Sequence, residues 1–144
     1  MEDQPSTPVL MFVAHRDVES RVMVALAEAG LDDITSAQSR LMQRLDPAGM
    51  RLTDLAEQAR VTKQTAGALV DQLERAGYVM RRPDPSDARA RLVTLSERGL
   101  TACSAAAAEV ARVEQEWRRH LGDTAYRGLR NALIALRAVT DPYR

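Results

Sequence analysis

Apolar residues recur at helical spacing along most of this chain and at alternating spacing over one short stretch. From Pro8 to Ala29, Val9, Phe12, Val13, Val22, Leu26 and Ala29 mark a first helix, and Gly30 ends it. Pro8 suits a first turn, where its missing N–H would have no partner anyway. The residues before it, Met1–Thr7, are polar and expected to fray. A second helix is predicted over Thr35–Leu45, because Thr35 followed by Gln38 makes a capping box and Ile34 can staple the first turn. Asp46-Pro47-Ala48-Gly49 reads as a turn and Met50-Arg51-Leu52 as a short extended segment. Thr53 is the expected cap of a third helix, Asp54–Ala59. Val61-Thr62 opens a fourth, Lys63–Ala76, and Gly77 closes it. The period then shortens. Tyr78–Arg82 and Ala90–Leu95 are strand-like around the turn cluster Pro83–Asp87, with Arg91, Val93 and Leu95 on one side of the second strand. Ser96 caps a helix over Glu97–His120, roughly 36 Å long. Its apolar stripe is Leu100, Cys103, Ala107, Val110, Val113, Trp117 and Leu121. Gly122-Asp123 breaks it, and a last helix, Thr124–Thr140, is expected to bury Leu129, Leu133, Leu136 and Val139.

Helix three, a short turn and a capped helix four make a helix-turn-helix, and a hairpin directly after it makes a wing. The expected fold is mainly α with a small β wing. It is a single domain over residues 8–140, with the helix-turn-helix at about 53–76 and the wing at about 78–95. The outer helices, about 8–29 and 97–140, have no place in a lone winged-helix core.

Composition adds little until it is read locally. Twenty basic and twenty acidic residues balance, which does not favour an indiscriminate polyanion binder. Residues 1–33, however, hold seven acids against two bases, and Arg75–Arg98 holds six arginines against three acids. Any nucleic-acid surface must therefore be local and lie in the second half. Cys103 is the only cysteine, so no intramolecular disulfide is available. No apolar run approaches the roughly 20 residues of a membrane span, and the first residues carry no basic, apolar leader pattern. A cytoplasmic protein without membrane contact is expected.

The wing sequence Arg81-Arg82-Pro83-Asp84-Pro85-Ser86-Asp87-Ala88-Arg89-Ala90-Arg91-Leu92-Val93-Thr94-Leu95-Ser96-Glu97-Arg98-Gly99, with Leu69–Val79 before it, resembles the MarR family of bacterial transcription regulators. The resemblance covers about residues 8–140 and matches nearly all of the family's wing pattern, with Ser96 where Thr is usual. Two positions depart from it. Arg60 stands in the turn before the fourth helix, where the family often has Gly; a left-handed backbone there costs a non-glycine residue about 1–2 kcal/mol. The first helix lacks the reactive cysteine of the family's peroxide sensors, and Cys103 lies elsewhere, so a thiol-sensor role is not supported.

A major groove admits one α-helix, whose leading end touches base edges. Here that end is Thr62-Lys63-Gln64-Thr65, followed by Gly67 and Ala68. Lys63 is the only lysine of the chain. In the first turn its charge opposes the helix macrodipole, a penalty that a phosphate or a guanine edge would reverse; otherwise it is a solvated lysine. Gln64 can pair with adenine. Thr62 and Thr65 serve as caps or as phosphate donors. Gly67 and Ala68 allow close approach either to bases or to a neighbouring helix. The resemblance implies that Arg89, at the hairpin tip, probes the minor groove, and an ion pair with Asp87 could fix its orientation. Asp84 with Pro85 shapes the turn. Arg81, Arg82 and Arg91 are phosphate candidates or merely solvated.

A two-fold dimer would place two such helices roughly 34–36 Å apart on a palindrome, so the outer helices are read as dimerisation elements, with Phe12 and Trp117 as interface anchors or core. The resemblance further implies a repressor and a small-molecule effector pocket, with Phe12, His15, Arg16, Met42 and Trp117 as candidate lining. No catalytic constellation, phosphate-binding loop, cofactor motif or metal-ligand spacing appears, and His15 and His120 stand far apart. An enzyme is not expected. The competing reading is a winged-helix protein-interaction module without DNA, which would have no use for Lys63, Gln64, Arg89 and Arg91.

Overall fold

The computed structural model describes residues 4–143. Met1–Asp3, part of the segment expected to fray, lie outside the described residues. In order along the chain are α1 (Thr7–Glu28), α2 (Ser36–Met42), α3 (Leu52–Ala59), α4 (Lys63–Arg75), β1 (Val79–Asp84), β2 (Asp87–Leu95), α5 (Glu97–Leu121) and α6 (Asp123–Thr140). The fold is mainly α with a two-stranded antiparallel wing. No helix among the described residues is long and apolar enough to cross a membrane.

Local chemistry explains most boundaries. The capping box forms at α2: Thr35 Oγ1 accepts from the Gln38 N–H at 3.2 Å, and Gln38 Oε1 accepts from the Thr35 N–H at 3.1 Å. Thr62 caps α4 by accepting the Thr65 N–H at 3.0 Å, and Ser96 caps α5 by accepting the Gly99 N–H at 3.1 Å. Gly77, at φ +85°, turns the chain out of α4, and the Tyr78 N–H returns to the Leu73 carbonyl at 2.9 Å.

Three boundaries differ from expectation. Thr53 is not the cap of α3. The helix begins at Leu52 behind Arg51, which offers no side-chain cap; Met50 and Arg51 stay extended, and Met50 exchanges backbone hydrogen bonds with Val93 at 3.1 and 2.8 Å. The strands run through most of the turn cluster, leaving Pro85-Ser86 as the tip; Pro83 is tolerated because a two-stranded hairpin has a free edge. α2 is shorter than expected and stops at Met42.

One core joins α1 to α5 through Val22, Leu26, Leu41, Leu55, Val70, Leu73, Tyr78, Val79, Val93 and Ala102. The junction of wing and α5 is its tightest point. The Ser96 N–H donates to the Tyr78 carbonyl at 3.0 Å, and a Cβ on Gly99 would sit 2.1 Å from that same oxygen. Only glycine lets α5 start here. The expected α5 stripe holds in part: Val113 is buried and Cys103 and Val110 pack against the core, while Leu100 and Leu121 face solvent and Gly99, Ala102 and Glu109 turn inward. Glu109 is buried as a charge but meets Arg21 of α1 at 3.2 Å and Arg112 at 2.6 Å.

The outer helices also depart from expectation. In α6 only Tyr126 is buried; Leu129, Leu133, Leu136 and Val139 are exposed, the last at 82%. In α1, Val9 to Val13 are all exposed, and only Val22 and Leu26 are fully buried, with Val18 and Met23 partly buried beside them. Phe12 is 60% exposed, so it is no part of an intrachain core.

Candidate nucleic-acid interface

The leading turn of α4 is open. Thr62, Lys63, Gln64, Thr65 and Ala68 are exposed, and the Thr62 hydroxyl also donates to Thr65 Oγ1 at 2.9 Å. Thr62 therefore does act as a cap. Lys63 has no ion-pair partner among the described residues. The Gly67 environment removes one alternative: a Cβ there would meet only Leu52 Cδ2, at an ordinary 3.7 Å. Close helix packing does not require glycine at this position. Behind α4, Arg60 adopts φ 59° and ψ 40°, the left-handed conformation, and is the only non-glycine residue with positive φ among those described. The turn keeps the geometry that glycine usually serves and carries the associated strain.

The wing arginines fall into two groups. Arg82, Arg89 and Arg91 are exposed, and none makes an ion pair among the described residues. Arg81 is different. Its side chain is 19% exposed and bridges Asp71 at 2.8 Å and Glu74 at 2.9 Å, so it fastens β1 to α4.

The expected pair between Asp87 and the Arg89 guanidinium is absent. Asp87 Oδ1 instead accepts the Arg89 backbone N–H at 3.0 Å. A two-residue spacing across a turn brings the backbone within reach first, leaving the guanidinium pointing outward. Asp84 does shape the turn: its Oδ1 accepts the Ser86 N–H at 2.8 Å and the Ser86 hydroxyl at 2.7 Å. These bonds, with the Arg51 guanidinium on its other oxygen, hold the Asp84 carboxyl below the ordinary carboxylate range.

Two groups of residues escaped the sequence reading. The sequence places Arg51 only in an extended segment, yet it joins α3 to the wing. Asp33, Tyr78 and Arg98 form a knot at the wing's root. The Tyr78 hydroxyl donates to Asp33, Arg98 Nη2 donates to the Asp33 carboxylate at 3.0 Å, and the Arg98 guanidinium lies 4.6 Å from the Tyr78 ring centroid. The Tyr78 hydroxyl, with a backbone N–H and then Arg98, lowers the Asp33 pKa. Partners dozens of residues apart leave no local signal.

The five effector-pocket candidates do not converge. His15 and Met42 line a cavity of about 520 Å³ between α1, α2 and α5, with Val18, Val22, Leu45, Leu95, Cys103 and Val110. Cys103 is half-buried there, and desolvation pushes its thiol pKa up, away from the reactive thiolate. Phe12 and Arg16 lie outside the cavity lining, with the Arg16 guanidinium 5.7 Å from the Phe12 ring centroid. Trp117 lines a separate groove between α5 and α6, with Tyr126, Leu129, Leu133 and Ile134.

Residues 34–90, from the buried Ile34 through the wing tip, match the MarR family model. The matched segment is similar to that family over the helix-turn-helix and the wing. A segment of 51 residues is 41% identical to the transcriptional activatory protein BadR of Rhodopseudomonas palustris. That match covers 35% of the chain and 29% of BadR, so the chain accounts for under a third of the curated relative's length. Likeness of fold extends much further. The reduced form of MarR from E. coli superposes with a TM-score of 0.76 at 21% identity, covering 94% of this chain and 98% of that one. The Mycobacterium tuberculosis MarR family protein Rv2887, solved in complex with salicylic acid, gives a TM-score of 0.67 at 25% identity, covering 94% and 99%.

Proposed function

We propose that this chain is a MarR-family, sequence-specific DNA-binding transcriptional regulator, and that it acts as a homodimer on a palindromic operator. The observation that carries the reading is the contrast in charge pairing. Arg81 is engaged within the fold, while Lys63, Arg82, Arg89 and Arg91, on the reading helix and its wing, stand exposed without acidic partners among the described residues. Cations left unpaired beside acidic side chains elsewhere on the surface suit phosphates. Lys63, Gln64 and Thr65, with the small Gly67 and Ala68, present the α4 turn to the major groove; Arg89 enters the adjacent minor groove; Arg82 and Arg91 hold the backbone. Asp87 serves by ordering the tip under Arg89.

The dimer reading rests on the exposed apolar residues of α1 and α6. A second copy offers the same two faces and covers both by two-fold symmetry. Residues 8–140 then work as one unit, with α1, α5 and α6 setting the distance between the two reading helices. A small-molecule effector fits the same arrangement. The cavity lined by His15 and Met42 is of ligand size and lies where α1 and α5 meet α2, and a neighbour of the same fold was solved with salicylic acid. A ligand there would shift the spacing of the reading helices only by favouring one spacing over another.

Family resemblance favours repression, while the BadR match favours activation. Selection of bound sequences from a random duplex pool tests the reading as a whole. An enriched palindrome with half-sites one helical turn apart supports it. No enrichment at modest ionic strength overturns it in favour of a protein-interaction module. A reporter carrying the selected site over or upstream of the promoter decides the sign.

A further inference from the structure

Arg51 makes contacts that neither its position in the chain nor the wing motif announces. It stands at the N-cap of α3, beside the Met50–Val93 bridge. Its Nε donates to Asp84 Oδ2 at 2.9 Å, its Nη2 lies 2.8 Å from the same oxygen, and Nη2 is 3.9 Å from Asp87 Oδ2. The two aspartates are used alike. In each, Oδ2 faces Arg51 and Oδ1 accepts a backbone N–H of the wing tip: Ser86 at 2.8 Å for Asp84, Arg89 at 3.0 Å for Asp87. One guanidinium is thus the common partner of the two side chains that shape the tip.

We infer that Arg51 is a positioning residue for DNA binding: it fixes the wing tip, and with it Arg89, relative to the reading helix, without touching DNA. This rests on the proposed DNA-binding function. Three features support it. The guanidinium already spends its Nε and Nη2 on Asp84, with Asp87 at 3.9 Å, so its charge is matched within the fold before any phosphate arrives. Asp84 is 8% exposed, which makes it a firm anchor on the wing side. On the other side, α3 packs against α4, so the link runs from the tip to the helix that enters the groove. A two-stranded hairpin alone is marginally stable and swings about its root. Holding the tip before DNA arrives lowers the ordering entropy lost on binding. Arginine suits the task because its planar fork reaches two carboxylates at once, which a lysine ammonium does not.

The test uses the full chain, a duplex recovered from the wild-type selection, and the variants Arg51→Gln, Arg51→Lys, Arg89→Ala and Arg51→Gln with Arg89→Ala. Arg51→Gln is expected to weaken binding about tenfold through lost preorganisation, with the salt slope unchanged. Arg51→Lys should fall between Gln and wild type. On the Arg89→Ala background, Arg51→Gln should add less than about twofold, because both act through one tip. Full additivity of the two substitutions, or a salt slope reduced by about one in Arg51→Gln, overturns the inference, since Arg51 would then meet the DNA itself. Amide exchange in the free protein supplies an arm that needs no DNA. The Ser86 and Arg89 amides should exchange faster in Arg51→Gln, and unchanged protection there also overturns the inference. If the wild type selects no duplex, the DNA-binding reading fails, while the exchange arm still decides whether Arg51 holds the tip.

Discussion

The winged helix and the outer helices are built from the same kind of amphipathic pattern and end in opposite conditions. In the first, Leu55, Ala66, Val70, Leu73 and Tyr78 are wholly buried within the single chain. In the second, α6 buries Tyr126 alone, and α1 exposes five consecutive apolar residues from Val9 to Val13. The winged helix closes its core with its own residues. The outer helices do not, and exposed apolar surface on this scale marks an interaction site. An apolar stripe predicts that a face will be covered; it does not say by which chain.

The contrast can be broken most severely at the hinge between the two regions. Gly99→Ala places a methyl group against the Tyr78 carbonyl and should destabilise the protein by about 3 kcal/mol, read as a lower urea midpoint. A stability equal to wild type would mean that α5 can start elsewhere. Next in size is Leu133→Glu with Ile134→Glu on α6. If the outer helices wait for a second copy, sedimentation should show monomers whose winged-helix unfolding is little changed, and binding to the selected palindrome should collapse. Dimers that survive both charges locate the contact elsewhere.

Smaller effects test the proposed DNA-facing region. Arg89→Ala should weaken binding to the selected site by about 1–3 kcal/mol in an anisotropy titration, with the dimer intact. Lys63→Ala should lower affinity and, for a phosphate contact, reduce the salt slope by about one; an unchanged slope assigns Lys63 to a base edge. The subtlest is Gly67→Ala. Because the added methyl meets only Leu52 at 3.7 Å, the fold should gain about 0.5–1 kcal/mol from helix propensity. DNA affinity should nevertheless fall if bases approach that backbone. A variant that is stabilised and binds normally leaves glycine without a role there.

Local signals made the architecture legible. The Thr35 capping box, the Thr62 and Ser96 caps, the Gly77 stop and the alternation after Tyr78 all involve residues a few positions apart, where backbone geometry alone dictates the partner. The reading slipped where two local options competed. Thr53 is a better cap by type than Arg51, but the Met50–Val93 bridge fixes where the chain turns into α3. The Asp87–Arg89 pair failed because the near backbone N–H outcompetes the far guanidinium. What sequence could not show was long-range choice. Arg51 with Asp84 and Asp33 with Arg98 depend on the finished fold, as does the packing that leaves Leu100 outside and Glu109 inside. Among the candidate DNA contacts, Arg81 shows the same limit: nothing in the wing motif separates an arginine facing outward from one clamped to α4.

The solitary lysine has a practical corollary. Because every other cation in this chain is an arginine, a mild acylating reagent has a single side-chain amine to find, and Lys63 is exposed at the head of α4. Its acylation rate, followed by mass spectrometry with and without a duplex, becomes a one-residue footprint of groove occupancy that needs no engineered label.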